Sequence, residues 1–226
     1  MALNTLLVFA TTAEAEILKR IPGISPFGND YKFGEIDISV LITGVGGIFT
    51  AWAMKKWLGN NSLPDLAVNI GIAGCFSDDL KKGDVVVPVS ECFADMAIES
   101  QGKNMTLGEA GLMDPDEYPF QNGCIRADNK FVKETLKTLR SVNAITVNTS
   151  SGTKSTIKRL KNKFNPDIET MEGATFFYIC SMERIPFLGV RAISNRIEPR
   201  NMKSWNIPLA LENLAVEINN ILTILK

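Results

Sequence analysis

Two acids stand at points where a chain can put a carboxylate to work. Glu14, in Ala10-Thr11-Thr12-Ala13-Glu14, follows the apolar run LLVFA, and Glu172, in Thr170-Met171-Glu172-Gly173-Ala174, precedes the nearly all-apolar run ATFFYIC. A carboxylate beside a buried helix can accept two hydrogen bonds from a vicinal diol or take a proton from water. Either acid, and Glu16 two residues on, also reads as an ordinary first-turn helix acid, and Glu172 as a complement to a helix dipole. The chain contains no histidine. That removes Ser-His and Cys-His nucleophiles and His-ligated metals, so acid-base chemistry falls to carboxylates, Lys, Tyr or Cys. Two further stretches carry polar groups to strand ends. Asn69-Ile70-Gly71-Ile72-Ala73-Gly74-Cys75 reads as a buried strand closing on glycines, its backbone lining a pocket or making a tight turn. Arg191-Ala192-Ile193-Ser194-Asn195-Arg196 is a buried strand that turns abruptly polar, at the carboxyl end where α/β sheets hold ligands.

Two phosphate motifs fail on inspection. Gly44-Val45-Gly46-Gly47 has Phe49 where a dinucleotide fingerprint wants Gly or Ala, which leaves only a close backbone approach to something. Gly152-Thr153-Lys154-Ser155 lacks the Gly-Lys pair and the preceding glycine of a P-loop.

The elements that must position these groups alternate in type. Short β-branched runs at 6–9, 36–42, 66–70, 85–89, 144–147 and 186–193 predict strands. Helical periods lie between and after them: Ile48, Ala51 and Trp52 on an inward face with Lys55 and Lys56 outward, then 131–139, 156–163, 171–182 and 211–225. The pattern is that of an α/β protein around a largely buried sheet. Segment 99–123, polar and rich in Gly and Pro, has no sustained period and reads as a lid, binding loop or interface element. With 226 residues, 45% hydrophobic and 22% charged, and no linker or repeat, the chain reads as one folded domain, 1–226. Lys plus Arg number 24 and Asp plus Glu 25, a net charge of −1 that offers no footprint for nucleic acid or an anionic membrane. Cys75, Cys92, Cys124 and Cys180 show no CxxC or zinc spacing and read as free, mostly buried thiols. The apolar run 6–10 is too short for a signal peptide or a membrane span, and with unpaired cysteines the expectation is a cytoplasmic protein.

Taken in order, ATTAE at 10–14, TGVGG at 43–47, NIGIAG at 69–74, KKGDVVVP at 81–88, TMEGA at 170–174 and VRAISN at 190–195 resemble the nucleoside phosphorylase and nucleosidase superfamily. The resemblance covers essentially the whole chain. It implies a three-layer α/β fold with a twisted, partly barrel-like mixed sheet flanked by helices. Within the superfamily, RAISNRIEPRNMKSWNIPLALENL is most similar to the futalosine hydrolases, which release hypoxanthine from futalosine in the alternative menaquinone pathway. Carried onto these residues, the resemblance makes Glu14 the base that activates water, with Glu16 as fallback, and Asn195 the group on the leaving base. It puts Glu172 on the ribose hydroxyls with Met171 beneath the sugar, and adds Ile72, Ala73, Gly74 and Ser194 at strand ends. Ser151, Gly152 and Thr153 are expected near the base, and Arg196 or Arg200 near the benzoate carboxylate. Nucleosidases acting on methylthioadenosine and adenosylhomocysteine carry Asp where Asn195 stands, and an amide has no proton to transfer. The acid at 14 suits water better than phosphate, which disfavours a phosphorylase. No metal or organic cofactor is called for. The resemblance also implies a homo-oligomer whose pockets a neighbour completes, through Phe93 and segment 99–123. A nucleoside-binding protein without catalysis is the alternative from another class.

Overall fold

The computed structural model describes residues 2–28, 30–100 and 102–225. Strand β1 (Leu3–Phe9) leads into a four-residue helix α1 (Thr12–Ala15) and a 3-10 turn at Glu16–Arg20. Strands β2 (Ile24–Phe27), β3 (Asp30–Phe33) and β4 (Ile36–Ile42) precede α2 (Gly47–Leu58), β5 (Leu66–Cys75) and β6 (Val85–Phe93). After β7 (Ala97–Ser100), β8 (Lys103–Thr106), β9 (Phe120–Gln121) and β10 (Cys124–Arg126) come α3 (Lys130–Thr135) and β11 (Arg140–Thr146). The chain finishes with α4 (Lys154–Phe164), β12 (Ile168–Thr170), α5 (Gly173–Met182), β13 (Phe187–Arg196) and α6 (Ile207–Leu225).

Eleven strands form one mixed sheet in the order β2-β3-β4-β1-β5-β12-β11-β6-β10-β9, with β13 pairing both β5 and β6. The path β5-β12-β11-β6-β13 therefore closes on itself as a small barrel. One buried cluster, including Ala73, Val86, Val142, Ala144, Ile168 and Ile193, draws side chains from all five of those strands. A larger core binds the sheet to the helices: Phe176, Phe177 and Cys180 of α5 and Leu214, Ile218 and Leu222 of α6 are essentially inaccessible. Strand β13 is buried from Phe187 to Asn195, a largely apolar run that carries Arg191, Ser194 and Asn195 inward with it, as in a strand covered on both faces. Strands β1, β5 and β13 run parallel, so their carboxyl ends emerge side by side. The three-layer α/β expectation, with a partly barrel-like mixed sheet, is met.

Three readings of the sequence need correction. Cys92 and Cys124 are not free thiols: they face each other in the antiparallel β6–β10 register and are disulfide-bonded, leaving Cys75 and Cys180 free. Sequence spacing carries no information on strand register, and the bond removes the cysteine argument for a cytoplasmic site. Helix α2 turns Thr50 and Met54 inward, not the apolar stripe: Ile48 is 79% and Trp52 73% exposed. Segment 99–123, of which Gln101 lies outside the described residues, is not without structure but holds the end of the β7–β8 hairpin and β9. Among the described residues, no helix is long and apolar enough to cross a membrane.

Candidate active site

The carboxyl ends of β1, β5 and β13, the segment before α4 and the start of α5 enclose a cavity of about 360 Å³. Glu14 lies at one wall and is almost fully buried. Thr11 caps α1 by accepting from the Glu14 N–H, and Glu14 Oε2 accepts in return from the Thr11 N–H at 3.0 Å and hydroxyl at 2.8 Å. This capping box explains the local sequence Thr-x-x-Glu. It does not exhaust the side chain, because Oε1 crosses to β5 and accepts from the Ile72 N–H at 3.1 Å. Gly71 makes room for that crossing: a Cβ there would stand 2.8 Å from Glu14 Oε1. Glu16, by contrast, is half exposed in an ion pair with Lys19.

Glu172 occupies the N-cap position of α5 without capping it; its Oε1 accepts from the Gly46 N–H at 2.8 Å. The glycine pair before α2 thus has a partner. Gly46 has φ +101°, a conformation side chains avoid, and a Cβ on Gly47 would stand 2.6 Å from Thr175 Oγ1. Burial pushes the Glu172 carboxyl above its ordinary range and Glu14 adds to this, against the Gly46 N–H and Arg191, which favour the anion.

Asn195 is aimed by a β-bulge between Ile193 and Asn195, which leaves it paired with Gly74 of β5. Its Oδ1 accepts from the Ser194 hydroxyl at 2.8 Å and its Nδ2 donates to the Arg196 carbonyl at 3.0 Å, so one amide N–H remains for a ligand. Gly74 keeps the floor open, since a Cβ there would meet Ile197 at 2.8 Å and Asn195 Nδ2 at 3.2 Å.

Ile72, Ala73, Gly74, Ser151, Met171, Ser194 and Arg196 border the same cavity as Glu14, Glu172 and Asn195. Arg196 turns its guanidinium to Asp78 at the surface, whereas Arg200 packs over Trp205, both lining the cavity. Thr153 is spent as the exposed N-cap of α4, and Gly152 contributes its carbonyl to the Arg200 N–H. Phe93 borders a different cavity, about 470 Å³, with Met96, Pro115, Phe120 and Cys124.

Three buried charged residues, one of them on the cavity wall, are given no role by the motifs. Glu169 lines it and accepts from both the N–H and the hydroxyl of Ser151, with burial holding its carboxyl above the usual range. Arg191 lies fully buried on the Asn69 side chain and carbonyl, the latter at 2.6 Å. Glu91, wholly buried on β6, is pushed up to about 7 by desolvation, against the pull of Arg191 and two threonine hydroxyls. An acid close after an apolar strand is the one available signal for Glu91; Arg191 stands in a stretch that reads as a buried strand, but nothing local identifies Asn69 as its partner.

A profile of the phosphorylase superfamily matches residues 6–226. The 5'-methylthioadenosine/S-adenosylhomocysteine nucleosidase of Buchnera aphidicola is 27% identical over 207 residues, 85% of this chain and 81% of its own. That of Glaesserella parasuis is 26% identical over 194 residues, covering 80% and 78%. Among solved structures, the Neisseria meningitidis nucleosidase of the same name, bound to methylthio-immucillin-A, superposes with a TM-score of 0.78 at 17% identity over 97% and 98% of the two chains. Futalosine hydrolase of Helicobacter pylori gives 0.75 at 17% identity over 99% and 97%. With the profile spanning nearly every residue and the fold matched end to end, the chain belongs to the phosphorylase superfamily.

Proposed function

We propose that this protein hydrolyses the N-glycosidic bond of a purine nucleoside and that futalosine is the substrate. The observation that carries the reaction type is the meeting of Glu14, Glu172 and Asn195 at one cavity. Glycosidic cleavage builds positive charge on the ribose and negative charge on the departing base. Glu14, its carboxylate fixed by three donors, takes a proton from the attacking water. Glu172 accepts from the ribose hydroxyls while the Gly46 N–H holds its Oε1 in place. Asn195 offers its spare N–H to N7 or O6 of the base and transfers no proton. Two carboxylates at the sugar end repel phosphate and so favour water as the nucleophile.

For the substrate, the amide at 195 can donate to O6 of a 6-oxopurine, although an amide also pairs with adenine through N7 and N6, and Arg200 lines the cavity wall for a carboxylate on the far end of the nucleoside. A second reading, a methylthioadenosine/adenosylhomocysteine nucleosidase, has the weight of the relatives, which carry that name. The proposal also takes the protein to be a one-domain, cytoplasmic homo-oligomer; the exposed apolar face of α2 supports the last of these.

Chromatographic assay of base release from futalosine, inosine and methylthioadenosine, with and without phosphate, decides between the readings. Hypoxanthine from futalosine without phosphate is the expected result. Adenine release alone establishes the second reading, strict phosphate dependence a phosphorylase, and stoichiometric binding without release a non-catalytic protein.

A further inference from the structure

Helix α5 begins in an unusual way. Its N-cap residue, Glu172, makes no side-chain bond to the helix amides, yet those amides are not left open. The Gly173 N–H donates to Thr170 Oγ1 at 3.3 Å and the Ala174 N–H to Thr146 Oγ1 at 2.7 Å. Each hydroxyl has one hydrogen of its own to give, and each is within reach of Glu91: Thr146 Oγ1 at 2.8 Å from Oε2, Thr170 Oγ1 at 3.2 Å from Oε1. Glu91 has no accessible surface and, among the described residues, no ion pair. Gly173 is bare to admit it, since a Cβ there would stand 1.8 Å from Glu91 Oε1. A buried carboxylate is costly to keep, and this one sits where the dipole of a ten-residue helix favours negative charge.

We propose that Glu91 is a positioning residue: acting through the Thr146 and Thr170 hydroxyls, it caps α5 from behind and so leaves the Glu172 carboxylate free, and correctly aimed, to bind the ribose diol. The threonines come from the ends of β11 and β12 and Glu91 from β6, so three strands fix the entry to the helix. Removing Glu91 lets the two hydroxyls turn, the first amides of α5 seek another acceptor, and Glu172 already stands at the N-cap position from which an acid can supply one. The diol then competes with the helix for the same carboxylate. The proposal rests on the assignment of Glu172 to the ribose.

The test compares Glu91→Ala, Glu91→Gln and Thr170→Val with the wild type and with Glu172→Ala. The substrate is whichever of futalosine, inosine and methylthioadenosine the wild type cleaves best, and the diol-free ligand is the matching free base. Glu91→Ala is expected to raise KM about tenfold or more with kcat changed less than threefold, while the Kd of the free base stays within twofold. Glu91→Gln can still accept from one hydroxyl and donate to the other, and restores KM to within about threefold. Thr170→Val cuts one arm of the relay and gives a smaller rise in KM alone, which tests the proposal even should Glu91→Ala not fold. Equal losses for nucleoside and free base, or a Glu91→Gln variant as impaired as Glu91→Ala, would overturn it. A Glu172→Ala variant that binds nucleoside normally refutes the ribose assignment itself; a Glu172→Ala variant that fails to bind, beside an unaffected Glu91→Ala, refutes only the relay.

Discussion

Glu14→Gln separates the chemical role of this side chain from its structural one. The carboxylate serves two elements at once, Oε2 on the Thr11 N–H and hydroxyl and Oε1 on the Ile72 N–H. An amide has one acceptor atom. Keeping its oxygen on Thr11 preserves the capping box and turns the NH2 toward the Ile72 N–H, donor against donor. Leaving one buried donor unmet costs about 1–3 kcal/mol. At roughly 2–4 °C per kcal/mol for a chain of this size, Tm should fall by about 2–12 °C. The chemical loss is larger and of a different kind. General-base assistance contributes about 10²–10⁴ in rate, or about 2.7–5.4 kcal/mol of barrier at 1.36 kcal/mol per tenfold. Base release followed by chromatography, well below the variant's Tm, should therefore show kcat reduced at least a hundredfold with KM little changed. A folded variant keeping more than a tenth of the wild-type kcat would refute the assignment of Glu14 as the base.

Asn195→Asp should move the ratio of kcat/KM for hypoxanthine over adenine release at least about tenfold toward adenine, within the ceiling of roughly 10⁴ that a mismatched polar group imposes; an unchanged ratio removes Asn195 from base recognition. Gly173→Ala, a change that ordinarily gains up to about 1 kcal/mol in a helix, should lower Tm, because its Cβ would lie 1.8 Å from Glu91 Oε1 and overpacking costs about 1–3 kcal/mol or more. For Glu91 the folded value of about 7 lies above the ordinary 4.5, so its neutral form stabilises the fold fully below pH 4.5 and that stability is lost as pH rises through about 7. The Tm of Glu91→Gln relative to wild type should thus climb between pH 4.5 and 7 and level off above it, as thermal scans across that range would record. Trp52→Glu, placing a charge on the exposed apolar face of α2, should shift a wild-type oligomer to monomer in sedimentation velocity, with secondary structure intact by circular dichroism.

Order along the chain and adjacency in space explain what the sequence made legible and what it hid. Strand β4 is readable to the residue at 36–42, because a β-branched run between Gly34 and Gly44 has few other uses. Strands β2 and β3 pass unnoticed, since an edge hairpin of half-exposed residues has no strong apolar period. Strand β12 is only three residues long, too short for an alternating pattern to register, so no expected element covers Glu169, which belongs to it. The face of α2 was inverted for another reason. Periodicity reports which stripe is apolar, not whether the chain's own core or a second molecule covers it, and here Ile48 and Trp52 point outward. The candidate site was legible through six motifs in order, of which Glu14, Glu172 and Asn195 meet at one cavity. Glu91 and Arg191 were hidden because their importance lies in pairwise geometry across strands that no local pattern encodes.

The same geometry gives the glycines of these motifs a common cause. Gly71 faces Glu14, Gly74 faces Asn195, Gly173 faces Glu91, and in each case a single added carbon would meet or crowd the side chain opposite. Gly46 does the equivalent with its backbone, offering its N–H to Glu172. A polar group can be buried only if its hydrogen bonds are met, and backbone amides meet them most rigidly because they have no rotamers to lose. At Gly71 and Gly173 the space that a Cβ would fill is taken instead by a carboxylate oxygen, of Glu14 and of Glu91. Glycine at 71 and 173 is therefore what lets a buried acid approach the backbone this closely, rather than a signal of flexible turns. It follows that Gly71→Ala should act on the chemistry more than on the fold. Its Cβ would displace Glu14 Oε1 by several tenths of an ångström, and since misplacing a reacting group by 1 Å can cost about a hundredfold, kcat should fall by roughly ten- to a hundredfold with Tm lowered by only a few degrees. A Gly71→Ala enzyme with unchanged kcat would mean that the cavity tolerates a displaced Glu14, and the argument that these glycines exist to fix the acids would fail with it.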